Sequence, residues 1–523
     1  MKEQVTKAAG VVGSATLLSR ILGFVRDMVI AGFFGAGMAS DAFFVAFRIP
    51  NLLRRLFAEG SLTIAFVPVF TAYLENDGPS AAFLFARSAI RLISILLALS
   101  AVIGILLSPV IVRIMAPGFM VFPEKLELTI TLTRFMFPYI FFIGLVALCM
   151  GILNALGHFA APAMAPVMLN LAMILAVLCL SPHLEQPVFG LAIGVLLGGL
   201  LQLLLQVPFL LRKGVIFWEK ASLFHPGLKR IGTLMLPAVF GAAVYQINIL
   251  VGTLLASLLP EGSVSYLYYA DRLVQFPLGI FAIAAATAVL PSFSKYAATG
   301  NTAALSDTFG YAMRLVSFIT IPSMVGLIIL REPIIGLLFK RGAFDSQTTS
   351  LTAEALLFYG IGLWAFSAVR IVVALFYALQ DTRTPVKTAA ISIGVNILLG
   401  IALMWPLKHG GLALATSLAS MVNLCLLIQA LRKKVGMLDW RQILKSVQKT
   451  LFCSAIMGIA VFLTGTIAIP QAQLTFGKLL MGVCVSILIG IGSYMGCAML
   501  VKCPEARDLI KMFHDRTAAK ARE

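Results

Sequence analysis

Charge is what this 523-residue chain has least of. Only 12% of its residues are Asp, Glu, Lys or Arg, about half the share of an ordinary soluble domain. With 60% hydrophobic residues and a mean hydropathy of +0.99, a soluble globular fold is excluded. Acids number 22 and form no D-D-x-x-D cluster, which excludes a metal-dependent prenyl-phosphate glycosyltransferase. The five histidines (His158, His183, His225, His409 and His514) are scattered and share no metal-ligand spacing, so neither metal nor cofactor is expected. The seven cysteines contain no C-x-x-C and lie mostly in apolar stretches, as small packing residues do. No stretch alternates over about ten residues as an outer-membrane barrel strand does. The net charge of +18 has no basic soluble domain to carry it, which excludes nucleic acid as a partner.

What the chain does have is apolar segments long enough to cross a bilayer. Fourteen can be marked, at about 8–33, 41–73, 88–115, 128–155, 162–181, 189–211, 230–257, 264–294, 309–330, 353–379, 385–406, 410–431, 450–469 and 477–501. The first is read as a spanning helix and not a cleaved signal, because Arg20 and the Arg26-Asp27 pair interrupt it. With both termini in the cytoplasm, the basic loops 212–230 and 432–449 and the tail all fall inside, as the positive-inside rule requires. Loop 331–352 is the exception, with Arg331, Lys340 and Arg341 outside.

The chain also repeats at one offset. Ala65-Phe66-Val67-Pro68-Val69-Phe70 matches Ala288-Val289-Leu290-Pro291-Ser292-Phe293. Arg91-Leu92-Ile93-Ser94 matches Arg314-Leu315-Val316-Ser317, and Ala155-Leu156 matches Ala378-Leu379. Each pair lies 223 residues apart, and six segments separate the copies. Six is even, so the copies share orientation and relate by an axis along the membrane normal. The expected architecture is an all-α polytopic membrane protein of about fourteen transmembrane helices. An N-lobe (1–211) and a C-lobe (230–432) of six helices each are joined by a cytoplasmic linker (212–229). A basic cytoplasmic loop (433–449), two extra helices (450–501) and a basic cytoplasmic tail (502–523) follow. Two like-oriented lobes around a cleft is a transporter plan, and the substrate would sit between them.

Arg20, Arg26, Arg48, Arg54 and Arg55 lie inside the first two apolar segments. An arginine at the centre of a spanning helix costs roughly 2.5–3.5 kcal/mol, so these line a polar cavity and do not face lipid. Asp27, Asp41 and Glu59 are the nearby acids. Asp41, Arg48, Arg55 and Glu59 follow helical spacing and form one stripe, with Arg48 and Arg55 as partners for Asp41 and Glu59. Segment eight adds Asp271, Arg272 and Gln275, with Arg272 as a counterpart across the cleft. Six arginines against four acids leave a surplus of about two charges. Arginine's planar fork suits phosphate oxyanions, so a doubly charged pyrophosphate fits. A cation-drug exporter would need an acidic cavity instead. The glycines of Gly32-Phe33-Phe34-Gly35-Ala36-Gly37 follow no strand and read as a turn. The last two helices, with Gly458, Gly482, Gly490 and Gly492, offer a groove for a lipid tail.

Several of these stretches resemble the MurJ (MviN) family. They are Ser19-Arg20-Ile21-Leu22-Gly23-Phe24-Val25-Arg26-Asp27, then Ser40-Asp41-Ala42-Phe43-Phe44 continuing through Arg48-Ile49-Pro50-Asn51-Leu52-Leu53-Arg54-Arg55 to Glu59-Gly60. Tyr268-Tyr269-Ala270-Asp271-Arg272-Leu273 and Thr384-Pro385-Val386-Lys387 join them. The resemblance implies a MATE-like exporter fold and a lipid II flippase of the inner membrane serving peptidoglycan synthesis. Lipid II would be the partner, with membrane lipids and the cell-wall synthesis machinery, and a monomer would suffice. The alternative is a flippase for another polyprenyl-linked oligosaccharide. The resemblance implies Arg20, Arg26, Arg54 and Arg272 as the substrate-binding arginines, Asp41 as an essential acid, and a tail groove between the last two helices. Gln275 departs from the family pattern, where a Glu is common. The acids of a family sodium site are missing from segments seven, eleven and twelve, so no sodium coupling is expected.

Overall fold

The computed structural model describes residues 2–55, 62–216, 219, 222–436, 439–469, 476–508 and 511. Among them every regular element is helical. The α-helices are α1 (Lys2–Phe34), α2 (Met38–Leu53), α3 (Leu62–Asn76), α4 (Gly78–Met115), α5 (Pro123–Met136), α6 (Tyr139–Ala155), α7 (Ala160–Leu175), α8 (Val188–Arg212) and α9 (Pro226–Ser257). There follow α10 (Ser263–Pro277), α11 (Ile283–Ala298), α12 (Thr302–Ile329), α13 (Arg331–Phe339), α14 (Ser346–Ala378), α15 (Arg383–Val435), α16 (Trp440–Ala468) and α17 (Phe476–Leu500). Ten helical stretches among the described residues are long and apolar enough to cross a membrane, which makes this a multi-pass membrane protein.

The fourteen expected segments are cut differently for local reasons. Segment 128–155 breaks at Phe137-Pro138, because proline has no N–H to continue the ladder, and becomes α5 and α6. Segment 264–294 passes through a π-helical turn at Leu278–Ala282 just after Pro277. The break expected between segments 385–406 and 410–431 is kept, as a kink inside α15 at Lys408, whose φ is 47°. The nine-residue α13 lies in loop 331–352, where no helix is expected.

Two compact units form. The first is Met1–Ser265 with Arg341–Phe344. In it α1 packs on α7, α7 on α8, α2 on α5, and α9 on α3 and α4. Phe66 stacks on Phe70 and Phe85 at 5.6 and 5.5 Å. By contact, α9 therefore belongs with the helices that precede it. Part of the exceptional loop is explained here, since Ala343 N donates to Gly32 O at 2.9 Å. The approach needs glycine: a Cβ on Gly35, whose φ is +61°, would meet Ala343 O at 2.5 Å. Gly35 also ends α1 in the left-handed turn expected of the glycine string.

The second unit is Tyr266–Lys340 with Asp345–Glu523. Here α14 packs on α11, α12 and α15, and α16 packs on α12 and α17. Phe293, Phe309, Phe376 and Leu424 fill its centre. Of the four glycines expected to bring the last two helices together, Gly482 and Gly490 of α17 do approach α16. Gly458 faces Val325 of α12 instead, and Gly492 faces open space.

The repeat is visible in backbone hydrogen bonds. At the end of α6, Leu156 N donates to Ile152 O, Gly157 N to Asn154 O and His158 N to Leu153 O. At the end of α14, Leu379 N donates to Leu375 O, Gln380 N to Tyr377 O and Asp381 N to Phe376 O. Every donor and acceptor is shifted by 223 residues. Gly157 and Gln380 both have positive φ, 75° and 56°. The same offset relates two side-chain clamps. Arg91 Nη2 donates to Glu219 O at 3.0 Å, and Arg314 Nη1 donates to Gln442 Oε1 at 3.1 Å.

Candidate functional site

The expected site residues fall into four groups, three in the first unit and one in the second. On α1, Arg26 and Asp27 are buried, at 8% and 1% exposure. Arg26 donates from Nε and Nη2 to Asp27 Oδ1 at 3.0 and 2.7 Å, and from Nη1 to Asn170 Oδ1 at 3.1 Å. Asn170 Nδ2 donates in turn to Ser19 O at 3.0 Å. Adjacent residues form this ion pair because the long guanidinium stem bends back over the shorter carboxylate. Asn170 on α7 fixes the fork in that plane. Arg20, one and a half turns earlier on α1, is exposed and makes no ion pair with a described residue.

The second group centres on Asp41, 1% exposed, in the first turn of α2. Lys125 Nζ donates to its Oδ2 at 2.8 Å, and Gly262 N donates to the same oxygen at 2.8 Å. Ser265 donates to Oδ1 twice, from N at 2.9 Å and Oγ at 2.6 Å. The carboxylate thus caps the start of α10, where the helix's free N–H groups and positive dipole end favour an anion. Lys125 is 3% exposed and also stands 4.3 Å from the Phe119 ring centre. This corrects the expected pairing: the ion-pair partner of Asp41 is Lys125, not Arg48.

Arg48 instead donates to Thr253 Oγ1 and, at 3.4 Å, to Ile249 O, tying α2 to α9. One side chain thereby satisfies a backbone carbonyl and a hydroxyl. Arg54 and Arg55 are half-buried just beyond α2, and Arg54 Nε donates to Asn51 Oδ1 at 3.0 Å. Glu59 lies outside the described residues, so the expected stripe can be followed only from Asp41 to Arg55. In the second unit, Arg272 of α10 is half-buried. Its Nη2 donates to Tyr268 Oη at 2.8 Å, and its guanidinium lies 4.9 Å from that ring's centre. Gln275 is exposed and donates to Asp271 Oδ1 at 3.5 Å.

Three partners escape a reading of spacing alone. Asn170 is a lone amide in an apolar helix, and polar side chains in such helices usually hold a neighbour. Lys125 sits in the first turn of α5, where the helix dipole disfavours a cation, and that misfit signals a nearby acid. Ser265 follows Ser263 at the head of α10, where hydroxyls serve as caps. Chemically, the first unit carries guanidinium groups on α1 and beyond α2 and the second carries one on α10, while the buried acids Asp27 and Asp41 are paired with Arg26 and Lys125.

Comparison with known proteins shows the family. The family model described as lipid II flippase MurJ matches residues 30–484. A probable lipid II flippase MurJ of Vibrio cholerae serotype O1 is 39% identical over 516 residues, covering 96% of this chain and 97% of that relative. The lipid II flippase MurJ of Burkholderia cenocepacia is 38% identical, covering 81% and 83%. A solved lipid II flippase MurJ in an inward closed conformation superposes with a TM-score of 0.79 at 29% identity, covering 95% of this chain and 99% of that one. An inward-facing multidrug-resistance MATE transporter superposes at 0.63 with 17% identity, covering 82% and 99%, a likeness of fold alone. With a family model spanning most of its length and relatives near 39% identity, this chain belongs to the MurJ lipid II flippase family.

Proposed function

We propose that this protein is a lipid II flippase. It carries the undecaprenyl-pyrophosphate-linked peptidoglycan precursor from the inner to the outer leaflet of the cytoplasmic membrane, for cell-wall synthesis. It acts by alternating access between the lobes 1–211 and 230–432 and has no catalytic role. The observation that carries the reading is family membership joined to guanidinium groups set in and beside apolar helices. Arg20, Arg26, Arg54 and Arg272 hold the pyrophosphate, Arg26 by exchanging its bonds to Asp27 and Asn170 for oxyanion oxygens. Asp27, Arg48, Arg55, Glu59, Asp271 and Gln275 tune or shape the cavity. Asp41 acts as a catch on the start of α10.

Both termini are cytoplasmic, so the Asp41 catch lies at the outer face and the basic loops face anionic headgroups inside. The tail of the lipid runs along α16 and α17, and the protein works as a monomer beside the wall-synthesis machinery. An inside-negative potential assists outward movement of an anion by about 2.3 kcal/mol per charge per 100 mV.

The test is complementation of a strain depleted of its lipid II flippase, scored by lipid II reaching the outer leaflet. The intact chain should restore growth and export, while Arg20→Ala and Arg26→Ala at normal expression should not. Rescue of a strain lacking a different polyprenyl-oligosaccharide flippase, without rescue here, would reassign the headgroup.

A further inference from the structure

The exceptional basic residues of loop 331–352 are not all accounted for by the fold. Arg331 Nη1 donates to Ile328 O at 2.8 Å and so caps the end of α12. Arg341 packs over Gly32. Lys340 has no such task. It is exposed and makes no ion pair with a described residue, and neither does Glu332 of the same loop.

Both line one cavity of about 940 Å³ in the second unit. That is near the upper end of the range of about 300–1,000 Å³ for small-ligand sites. The cavity lies where α12 and α16 end and α14 and α17 begin, so it opens at one membrane face. Its walls differ. Ser346 and Ser350 of α14 stand with Glu332 and Lys340, while Val461, Phe462 and Phe476 lie on α16 and α17. Phe462 and Phe476 are 59% and 60% exposed, apolar surface that a hydrocarbon chain would cover.

We propose that this cavity is a structural lipid site for a phospholipid with a zwitterionic head carrying a phosphate and a primary ammonium, as in phosphatidylethanolamine. Charge selects the head. A purely anionic lipid would satisfy Lys340 and oppose Glu332; a cation would do the reverse. A phosphate on Lys340 with an ammonium on Glu332 satisfies both, and the serine hydroxyls can donate to phosphate oxygens. One acyl chain lies over Phe462 and Phe476. The basic residue at this face is then a headgroup ligand and not a topology signal. On the orientation proposed above, the lipid belongs to the outer leaflet.

The test is native mass spectrometry of the full-length, delipidated protein titrated with four probes. They are phosphatidylethanolamine, phosphatidylglycerol, diacylglycerol of matched chains, and free phosphoethanolamine. The first should be retained about fivefold over each of the others, the scale of one or two partly exposed ion pairs. Lys340→Glu and Glu332→Lys should each remove that preference. Glu332→Lys should retain phosphatidylglycerol better than the natural protein does, and the double exchange should restore phosphatidylethanolamine. Equal retention of all lipids, preference for phosphatidylglycerol, or binding of the free head as well as the lipid would overturn the site. The unaltered protein decides this even if a variant fails to fold. Retention is read without flipping, so its failure leaves the transport assignment standing, and the reverse.

Discussion

The turn that ends α6 and the turn that ends α14 share one backbone and carry opposite chemistry. The three main-chain hydrogen bonds coincide after a shift of 223 residues, yet His158 stands where Asp381 does. His158 stacks on Phe209 at 4.6 Å. Burial, then the charge of Lys213, holds its imidazole below the usual histidine range. Asp381 accepts from Lys434 Nζ at 2.7 Å, from Thr384 Oγ1 at 2.8 Å and from Thr384 N at 3.0 Å. The Lys434 bond, then the Thr384 amide, holds its carboxyl well below the usual range. In each copy a lysine from the end of a later helix, Lys213 after α8 and Lys434 of α15, reaches this turn; one stands near an imidazole and the other grips a carboxylate. The repeat therefore preserves a fold of the main chain and leaves the local electrostatics free.

The paired clamps extend the comparison and give its largest expected effect. Arg314 Nε also meets Glu505, 2% exposed, at 3.2 Å, and Ser446 Oγ donates to the same carboxylate at 2.9 Å. Arg91 donates to a linker carbonyl, and Arg87 meets the exposed Glu219 carboxylate. Arg314→Ala should cost about 3–5 kcal/mol by stranding a buried acid. Arg91→Ala should cost under about 1 kcal/mol. Thermal unfolding in detergent measures both, and equal losses would break the comparison.

Next come the left-handed residues of the two turns. Gly157→Ala should cost about 1–2 kcal/mol, and Gln380→Gly should gain about 1 kcal/mol, because only glycine holds positive φ without strain. Opposite signs in the same melting assay sharpen the equivalence; a loss from both would undo it.

The pH response should separate the turns further. Each titratable group is held below its ordinary value when folded, so the unfolded turn binds protons more readily. Stability is then complete above that ordinary value, declines below it, and is lost as pH falls through the lower folded value. The loss should begin below about pH 6.5 for the His158 turn and only below about pH 3.9 for the Asp381 turn. Hydrogen exchange of residues 153–158 and 376–381 between pH 7 and 5 reads this directly. Once corrected for the slower intrinsic exchange at lower pH, protection should fall in the first stretch alone, and His158→Phe should abolish the change. The smallest effect is Lys434→Ala. Its side chain is 41% exposed, so the loss should be about 0.5 kcal/mol and vanish in high salt.

Much of this was legible before any coordinates. Ala155-Leu156 and Ala378-Leu379 mark the two turns, and Arg91 and Arg314 mark the two clamps. Arginines buried in apolar segments declare a polar environment by their insertion cost alone. Partners were not legible, because they come from other helices. Helical spacing put Arg48 beside Asp41, whereas tertiary packing brought Lys125 from a stretch that reads as a loop. Asn170 lies 144 residues from Arg26. The break at Phe137-Pro138 escaped for a related reason: hydropathy runs on through an interruption that only backbone geometry records. The break at Lys408, by contrast, falls between segments 385–406 and 410–431, as expected.

Asp41 has one last consequence, and it concerns rates. Four donors converge on two oxygens that exclude water almost entirely. Water cannot replace them one at a time without first opening the pocket, so the hold on α10 has no half-released form. Its release is a single activated event. Its lifetime should depend exponentially on the number of donors kept, as a rivet's does and a hinge's does not.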